Sequence, residues 1–185
     1  MSSKNYCVLV RFDDKTTEKL NTLRTHLYNE GYTKAISEWP PHITIAAYEN
    51  VDINTLLQWT KAFAKKHSAF DVSLSSLGVL PPGGEHAETA VLYAAPSQSK
   101  GLIDFYYAFH EILDDCCGNL GWWYSATFGY PAIHATIGMF EITQMQKAME
   151  AVFEQQIFGK ATIVALEVYT YPMELIERIA LKQSE

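Results

Sequence analysis

Two short segments of the chain echo each other: His42-Ile43-Thr44-Ile45-Ala46-Ala47-Tyr48 and His134-Ala135-Thr136-Ile137-Gly138-Met139-Phe140. Both carry His, Thr at +2, Ile at +3 and an aromatic ring at +6. With six histidines in the chain, a single His-x-Thr has chance odds of roughly one in two or three and constrains little. Two copies at matching places in a repeated pattern constrain the fold strongly. Ahead of the first copy, residues 6–12 read as a strand, and Asp13 or Asp14 caps a helix with Leu20, Leu23 and Leu27 on one face and Gly31 as its stop. After it, Asp52 or Asn54 starts a helix bearing Ile53, Leu56, Leu57, Phe63 and Ala64, and strands follow at 69–80 and 88–95, with PPGGEH (81–86) as the loop between them. The order then starts again. Ser97 or Ser99 caps a helix running to about Cys117 and ended by Gly118. The strand-like IHATIGMF follows, then a helix opened by a Thr143–Gln146 capping box, then strands at 160–171 and 173–181. This is the pattern of a divergent internal duplication, with units at about 6–95 and 97–181. It predicts an α+β fold: one domain of two pseudo-symmetric lobes, two antiparallel sheets flanked by helices, and a central cleft.

Strand alternation sends His42, Thr44 and Ala46 to one face and Ile43, Ile45 and Ala47 to the other. The second copy divides the same way, with His134, Thr136 and Gly138 against Ala135, Ile137 and Met139. Each strand buries its apolar set and frees its His and Thr, with a small residue beside them. Tyr48 and Phe140 share the histidine face by parity but lie about 20 Å further along an extended strand, which makes them packing residues. If the two faces meet across the cleft, two imidazoles and two hydroxyls surround one point. Imidazoles with unperturbed pKa near 6.5 suit paired general acid and base work, with a bell-shaped rate profile whose limbs fall at about pH 6 to 8. Threonine hydroxyls donate to the non-bridging oxygens of a phosphodiester, so the chemistry expected is in-line attack at phosphorus without a metal.

This constellation resembles the two-histidine (2H, His-x-Thr-x) phosphoesterase superfamily, which includes the 2'-5' RNA ligase-like (LigT-like) proteins and the 2',3'-cyclic nucleotide phosphodiesterases. The resemblance runs from the first strand to the last, with the two short motifs as its specific part. It implies a bilobal fold with its site in the groove between the lobes, His42 and His134 as the catalytic pair, and Thr44 and Thr136 as the phosphate-binding pair. It further implies that His42 protonates the departing 2'-oxygen and His134 activates water. The chain departs from the RNA-ligase-like branch in having Ile45 and Ile137 where Leu is usual, and no Lys or Arg at 46–49 or 138–142. That weighs against ligation and long RNA. The expected function is a hydrolase, a metal-independent phosphodiesterase acting on a small 2',3'-cyclic or 2'-5' linked nucleotide or an RNA end. The alternatives are a non-catalytic nucleotide-binding module on the same fold and a 2'-5' RNA ligase.

Composition narrows the partners. A net charge of −7 argues against an extended duplex, which needs clustered cations. Three cysteines without Cys-x-x-Cys spacing form neither a disulfide framework nor a zinc knuckle and fit a cytoplasmic, reducing setting, with Cys116 and Cys117 read as buried thiols. No apolar run reaches the ~18 residues of a membrane span, and a monomer is expected. No metal is expected, because neither motif holds a carboxylate or a His-x-x-x-His. Trp39, Trp123 and Tyr130 are the candidates for stacking on a base, with packing between the lobes as the competing reading. His26, His67 and His86 read as surface residues and His110 as a satisfied core histidine.

Overall fold

The structure is a computed structural model that describes residues 5–83, 87–129, 131–171 and 173–183. The first strand, β1 (Tyr6–Phe12), is buried on both faces. Its alternate residues go to two places: Val8, Val10 and Phe12 enter the main core, while Cys7 and Leu9 join a small cluster with Ala47 and Tyr169. Helix α1 (Asp14–Asn29) follows, and the Asp13 carboxylate accepts the Thr16 N–H at 2.9 Å. The helix ends on Gly31 at φ +73°, a left-handed position that costs glycine little. The Gly31 N–H donates to the Tyr28 carbonyl and the Tyr32 N–H to the Leu27 carbonyl, the paired bonds of a Schellman stop.

Strand β2 (His42–Tyr48), helix α2 (Ile53–Ala64), and strands β3 (Phe70–Leu80) and β4 (Thr89–Pro96) complete the first half. Asp52 caps α2 through the Thr55 N–H. Ser99 caps helix α3 (Lys100–His110), which is shorter than its apolar period suggests. The chain turns at Leu113, makes a 3-10 turn over Asp114–Cys116 and then the four-residue helix α4 (Gly118–Gly121), so Gly118 opens an element rather than closing one. Strand β5 (Ala135–Glu141) and helix α5 (Met145–Glu154) follow. The capping box does not form: a 3-10 turn over Ile142–Gln144 takes up Thr143, Gln144 becomes the N-cap without a side-chain bond, and Gln146 bonds Glu150 instead. Strands β6 (Gly159–Thr170) and β7 (Glu174–Ala180) end the fold.

All strand pairs are antiparallel, in the order β2-β1-β6-β3-β4-β5, with β7 also on β6. The strands thus form one seven-stranded antiparallel sheet centred on β6, which carries β1 along one edge and shares the other between β3 and β7. The order reads alike from both ends, with the two motif strands outermost, and the sheet curls until β2 and β5 touch without pairing. One core of Leu20, Leu23 and Leu27 from α1, Phe63 from α2, Phe105 and Phe109 from α3 and Ala148 and Val152 from α5 backs the sheet. Among the described residues no helix is long and apolar enough to cross a membrane.

Candidate active site

The two motif strands share an irregularity that alternation alone does not reveal. Val8 pairs with Ala46 and the next residue, Leu9, with Thr44, so β2 carries one extra residue at Ile45. Leu92 pairs with Gly138 and Tyr93 with Thr136, which leaves the extra residue of β5 at Ile137. A bulge of this kind reverses the parity beyond it. Ala46 therefore lies in the core and Ala47 in the cleft, the reverse of strict alternation, and Met139 rather than Gly138 shares a cavity with Thr44. Tyr48 and Phe140 swing into the core, 0% and 1% exposed.

Both histidines are held alike. The His42 Nδ1 meets the Pro40 carbonyl at 2.6 Å, and the His134 Nδ1 meets the Ala132 carbonyl. A carbonyl only accepts, so each Nδ1 donates and each neutral ring keeps its lone pair on Nε2, the nitrogen left for chemistry. An aromatic ring braces each imidazole, Trp39 at 5.5 Å for His42 and Tyr93 at 4.8 Å for His134. Gly78 makes room for the second brace, since a Cβ there would lie 2.2 Å from the Tyr93 ring. Burial lowers the His42 pKa to about 4, helped by the positive charges of Arg24, Arg11 and His134. Burial also lowers the pKa of His134, against the opposing bond to Ala132. Both rings are neutral at pH 7 in the empty site.

A cavity of about 460 Å³ is lined by His42, Thr44, Thr136, Trp39, Tyr124 and Arg24. His134 is not part of its wall but lies close enough for its charge to act on His42. Thr44 shares a hydrogen bond with the Tyr124 hydroxyl, whose pKa burial raises. Cys7 lines the cavity too, but burial pushes its thiol up to about 12, which keeps it protonated and unreactive. Trp39 thus lines the cavity. Trp123 does not: it packs edge-on against Trp122 and is absent from the cavity wall. Tyr130 and His86 lie outside the described residues.

Three further groups complete the site: two arginines that sequence reasoning missed, and His110, read from the sequence as a satisfied core histidine. Arg24 is 4% exposed and donates to the Trp39 carbonyl at 2.7 Å and the Thr136 carbonyl at 2.6 Å, while its Nε has no partner among the described residues. Burial, with a contribution from Arg11, lowers its pKa to about 10, so it stays charged at neutral pH. Arg11 is compensated by the buried Glu167 at 3.4 Å, which also accepts from the Tyr169 hydroxyl. Arg24 makes no ion pair among the described residues, which leaves a net cation in the cavity wall and creates demand for an anion. The third group, His110, is buried, with Nε2 2.8 Å from the Ile45 carbonyl at the first bulge and Nδ1 2.8 Å from Asp114. Each ring nitrogen thus faces an acceptor, one from the strand and one from the turn after α3. The grips are reciprocal: α1, from the first half, holds β5, and α3, from the second, holds β2. The available signal was a polar residue on an apolar stripe, Arg24 within Leu20-Leu23-Leu27 and His110 beside Phe109 and Tyr106.

His110, Asp114 and Cys117 form a buried group whose ligand atoms lie within 4.8 Å of one another. Asp114 already accepts from Ser125, Ala126 and Thr127, and these bonds outweigh burial and hold its carboxyl below the usual range. Burial raises the Cys117 thiol to about 12. This cluster is satisfied as a hydrogen-bond network. Cys116 is only half-buried, and all three cysteines are free. His67 is not a free surface residue: it stacks on Phe63 at 3.9 Å.

Comparison with known proteins places the chain in a family. The family model of the 2'-5' RNA ligase superfamily matches residues 12–172, most of the chain. The chain belongs to that superfamily, whose fold carries phosphoesterases and ligases. Among solved structures it is similar to TT0787 of Thermus thermophilus, with a TM-score of 0.61 and 11% identity over 98% of this chain and 100% of the other. It is similar to E. coli LigT complexed with 3'-AMP, with a TM-score of 0.57 and 14% identity over 99% of this chain and 100% of the other. It is also similar to Kluyveromyces marxianus Usb1, with a TM-score of 0.52 and 11% identity over 97% of each chain. No curated protein sequence matches it.

Proposed function

We propose that the chain is a metal-independent phosphodiesterase in which His42 and His134 act as acid and base and Thr44 and Thr136 hold the phosphate. One observation carries the reading: two imidazoles with fixed tautomers and lone pairs on Nε2 stand near one cavity with both threonines and an uncompensated guanidinium. The phosphodiester lies against Arg24 with its non-bridging oxygens on the threonine hydroxyls. The Nε2 of His134 takes the proton of the attacking water as its oxygen bonds to phosphorus. The Nε2 of a protonated His42 gives its proton to the departing oxygen as the phosphorus–oxygen bond breaks. The low pKa of His42 makes its imidazolium a strong donor, and the anionic phosphate supports that protonation when substrate arrives. The substrate class is a 2',3'-cyclic or 2'-5' linked nucleotide or an RNA end, in keeping with the 3'-AMP held by the LigT neighbour. The test is hydrolysis of a panel of such nucleotides in the presence of EDTA. Turnover by wild type, lost in His42→Ala and His134→Ala, supports the reading; loss of turnover to the chelator rejects it.

Residues 6–95 and 97–181 are, in this reading, two copies of one unit. The symmetric strand order and the matching bulges at Ile45 and Ile137 support it.

A further inference from the structure

The cleft extends beyond the cavity that holds the histidine and threonines. A second hollow of about 420 Å³ opens beside it and shares Ser37, Thr136 and Met139 with it. Its walls are residues 31–37, after α1, Thr89 at the start of β4, and β5 with Gln144 just past its end. Residues 31–37 are fastened to β5: the Thr33 hydroxyl donates to the Met139 carbonyl at 3.0 Å, and Lys34 pairs with Glu141 at 2.5 Å.

The charges of the two compartments differ. Lys34 and Glu141 are the charged groups lining the hollow, and they neutralise each other. The rest of the wall is apolar, as at Tyr32, Ile36 and Met139, or uncharged and hydrogen-bonding, as at Thr89 and Gln144. Nothing there attracts a second phosphate, whereas the uncompensated Arg24 lines the first cavity. Each compartment falls within the ~300–1,000 Å³ of small-molecule sites, and Thr136, the proposed phosphate ligand, stands where they join. A phosphate at that junction has room for an uncharged, largely apolar, hydrogen-bonding group on each side.

Resting on the proposed phosphodiesterase reading, we propose that the hollow binds a nucleoside. The preferred substrate is then a linear phosphodiester with one nucleoside in each compartment, and a 2',3'-cyclic mononucleotide fills only one. The reaction adds water across one phosphorus–oxygen bond. The water oxygen bonds to phosphorus, its proton goes to one imidazole, and the released alcohol takes the proton of the other. The diester anion becomes a phosphomonoester monoanion and a nucleoside.

The test compares adenylyl-(2'-5')-adenosine and adenylyl-(3'-5')-adenosine with 2',3'-cyclic AMP on wild type and on Ile36→Trp. Ile36 is 40% exposed, so the indole fills the hollow without entering the core, and thermal unfolding checks that the variant folds. Wild type is expected to favour at least one linear diester in kcat/KM by about tenfold, and Ile36→Trp to lower that diester's kcat/KM about tenfold more than that of the cyclic nucleotide. Preference for the cyclic compound, or equal effects of the substitution on both, overturns the proposal. Binding of the linear diesters to a His42→Ala/His134→Ala double variant, with and without Ile36→Trp, separates the two readings. Binding weakened about tenfold by the tryptophan, with no turnover by wild type, keeps the hollow and sinks catalysis. Binding indifferent to the tryptophan sinks the hollow alone.

Discussion

The guanidinium of Arg24 donates a 2.6 Å hydrogen bond to the backbone carbonyl of Thr136, so the helix ahead of the first motif holds the strand of the second. Its other terminal nitrogen holds the Trp39 carbonyl, just ahead of His42. One buried cation therefore spaces the two motifs and faces the cavity between them.

Arg24→Met should lose both ties and the cavity's net charge. Charge-assisted hydrogen bonds are worth about 1.5–3 kcal/mol each, so a loss of about 3 kcal/mol is expected in denaturant titration, partly offset by the removed desolvation penalty. Inorganic phosphate should protect wild type against thermal unfolding and leave the variant unprotected. Equal protection of both would show that Arg24 plays no part in anion binding.

If the imidazoles act together, His42→Ala and His134→Ala should each lower kcat by about 10²–10⁴, and the double variant by little more than the worse single one. Steady-state rates on the best substrate of the panel decide this. Multiplicative losses would mean that the two rings work independently.

The depressed histidine pKa values move the pH optimum. Catalysis needs one ring protonated, and in free enzyme that form becomes scarce as pH rises past the lowered values. The kcat/KM optimum should thus fall below the ordinary imidazole value of about 6.5, rather than between limbs at about 6 and 8, while kcat, read with the phosphate anion bound, should peak at higher pH. Stability follows the same sign. The folded pKa of His42, about 4, lies below its unfolded value, so its neutral form stabilises the fold above about 6.5 and that stability is lost as pH falls towards 4. His42→Asn should flatten the fall in stability across that window, and an unchanged slope would contradict the buried neutral ring.

His110→Ala takes the His110 donor from the Ile45 carbonyl and removes one of several donors that hold the Asp114 carboxylate. Leaving a buried acceptor unpaired costs about 1–3 kcal/mol. His110→Gln, which keeps one N–H, should recover part of the stability. Because Ile45 is the bulge that aims Thr44, the residual activity of folded His110→Gln should show a raised KM; an unchanged KM would mean that the bulge keeps its shape unaided.

Two glycines make a control pair. A Cβ on Gly121 would lie 1.7 Å from the Ala47 carbonyl oxygen, a backbone atom of the cavity strand, whereas one on Gly101 meets nothing within 4 Å. Gly121→Ala should destabilise by more than about 2 kcal/mol, and Gly101→Ala, in the first turn of α3, should stabilise by up to about 1 kcal/mol. Thermal unfolding of both variants tests the close approach of α4 to β2.

Period and caps made most elements readable, since Asp13, Asp52 and Ser99 each cap the helix they precede. The end of α3 was not readable. Leu113 keeps the apolar spacing, yet the Asp114 carboxylate gathers N–H groups from Ala126 and Thr127 and draws the chain into a turn. The bulges were hidden because alternation fixes a face only from a known starting point. Two large rings, Tyr48 and Phe140, on the nominally polar face were the sign that the parity had slipped. The grips of Arg24 on Thr136 and of His110 on Ile45 were hidden because those partners are backbone carbonyls from the other half of the chain, and carbonyls leave no mark in a sequence.

The reciprocal grips bear on how the molecule comes together. A fragment ending near Pro96 would bury a guanidinium that keeps only the Trp39 carbonyl, and the remainder would expose a motif strand whose clamp stayed behind. Neither piece is self-sufficient, but the two are complementary. Mixed after separate expression, they should recover structure jointly, much as a lock and its key are cut from one blank.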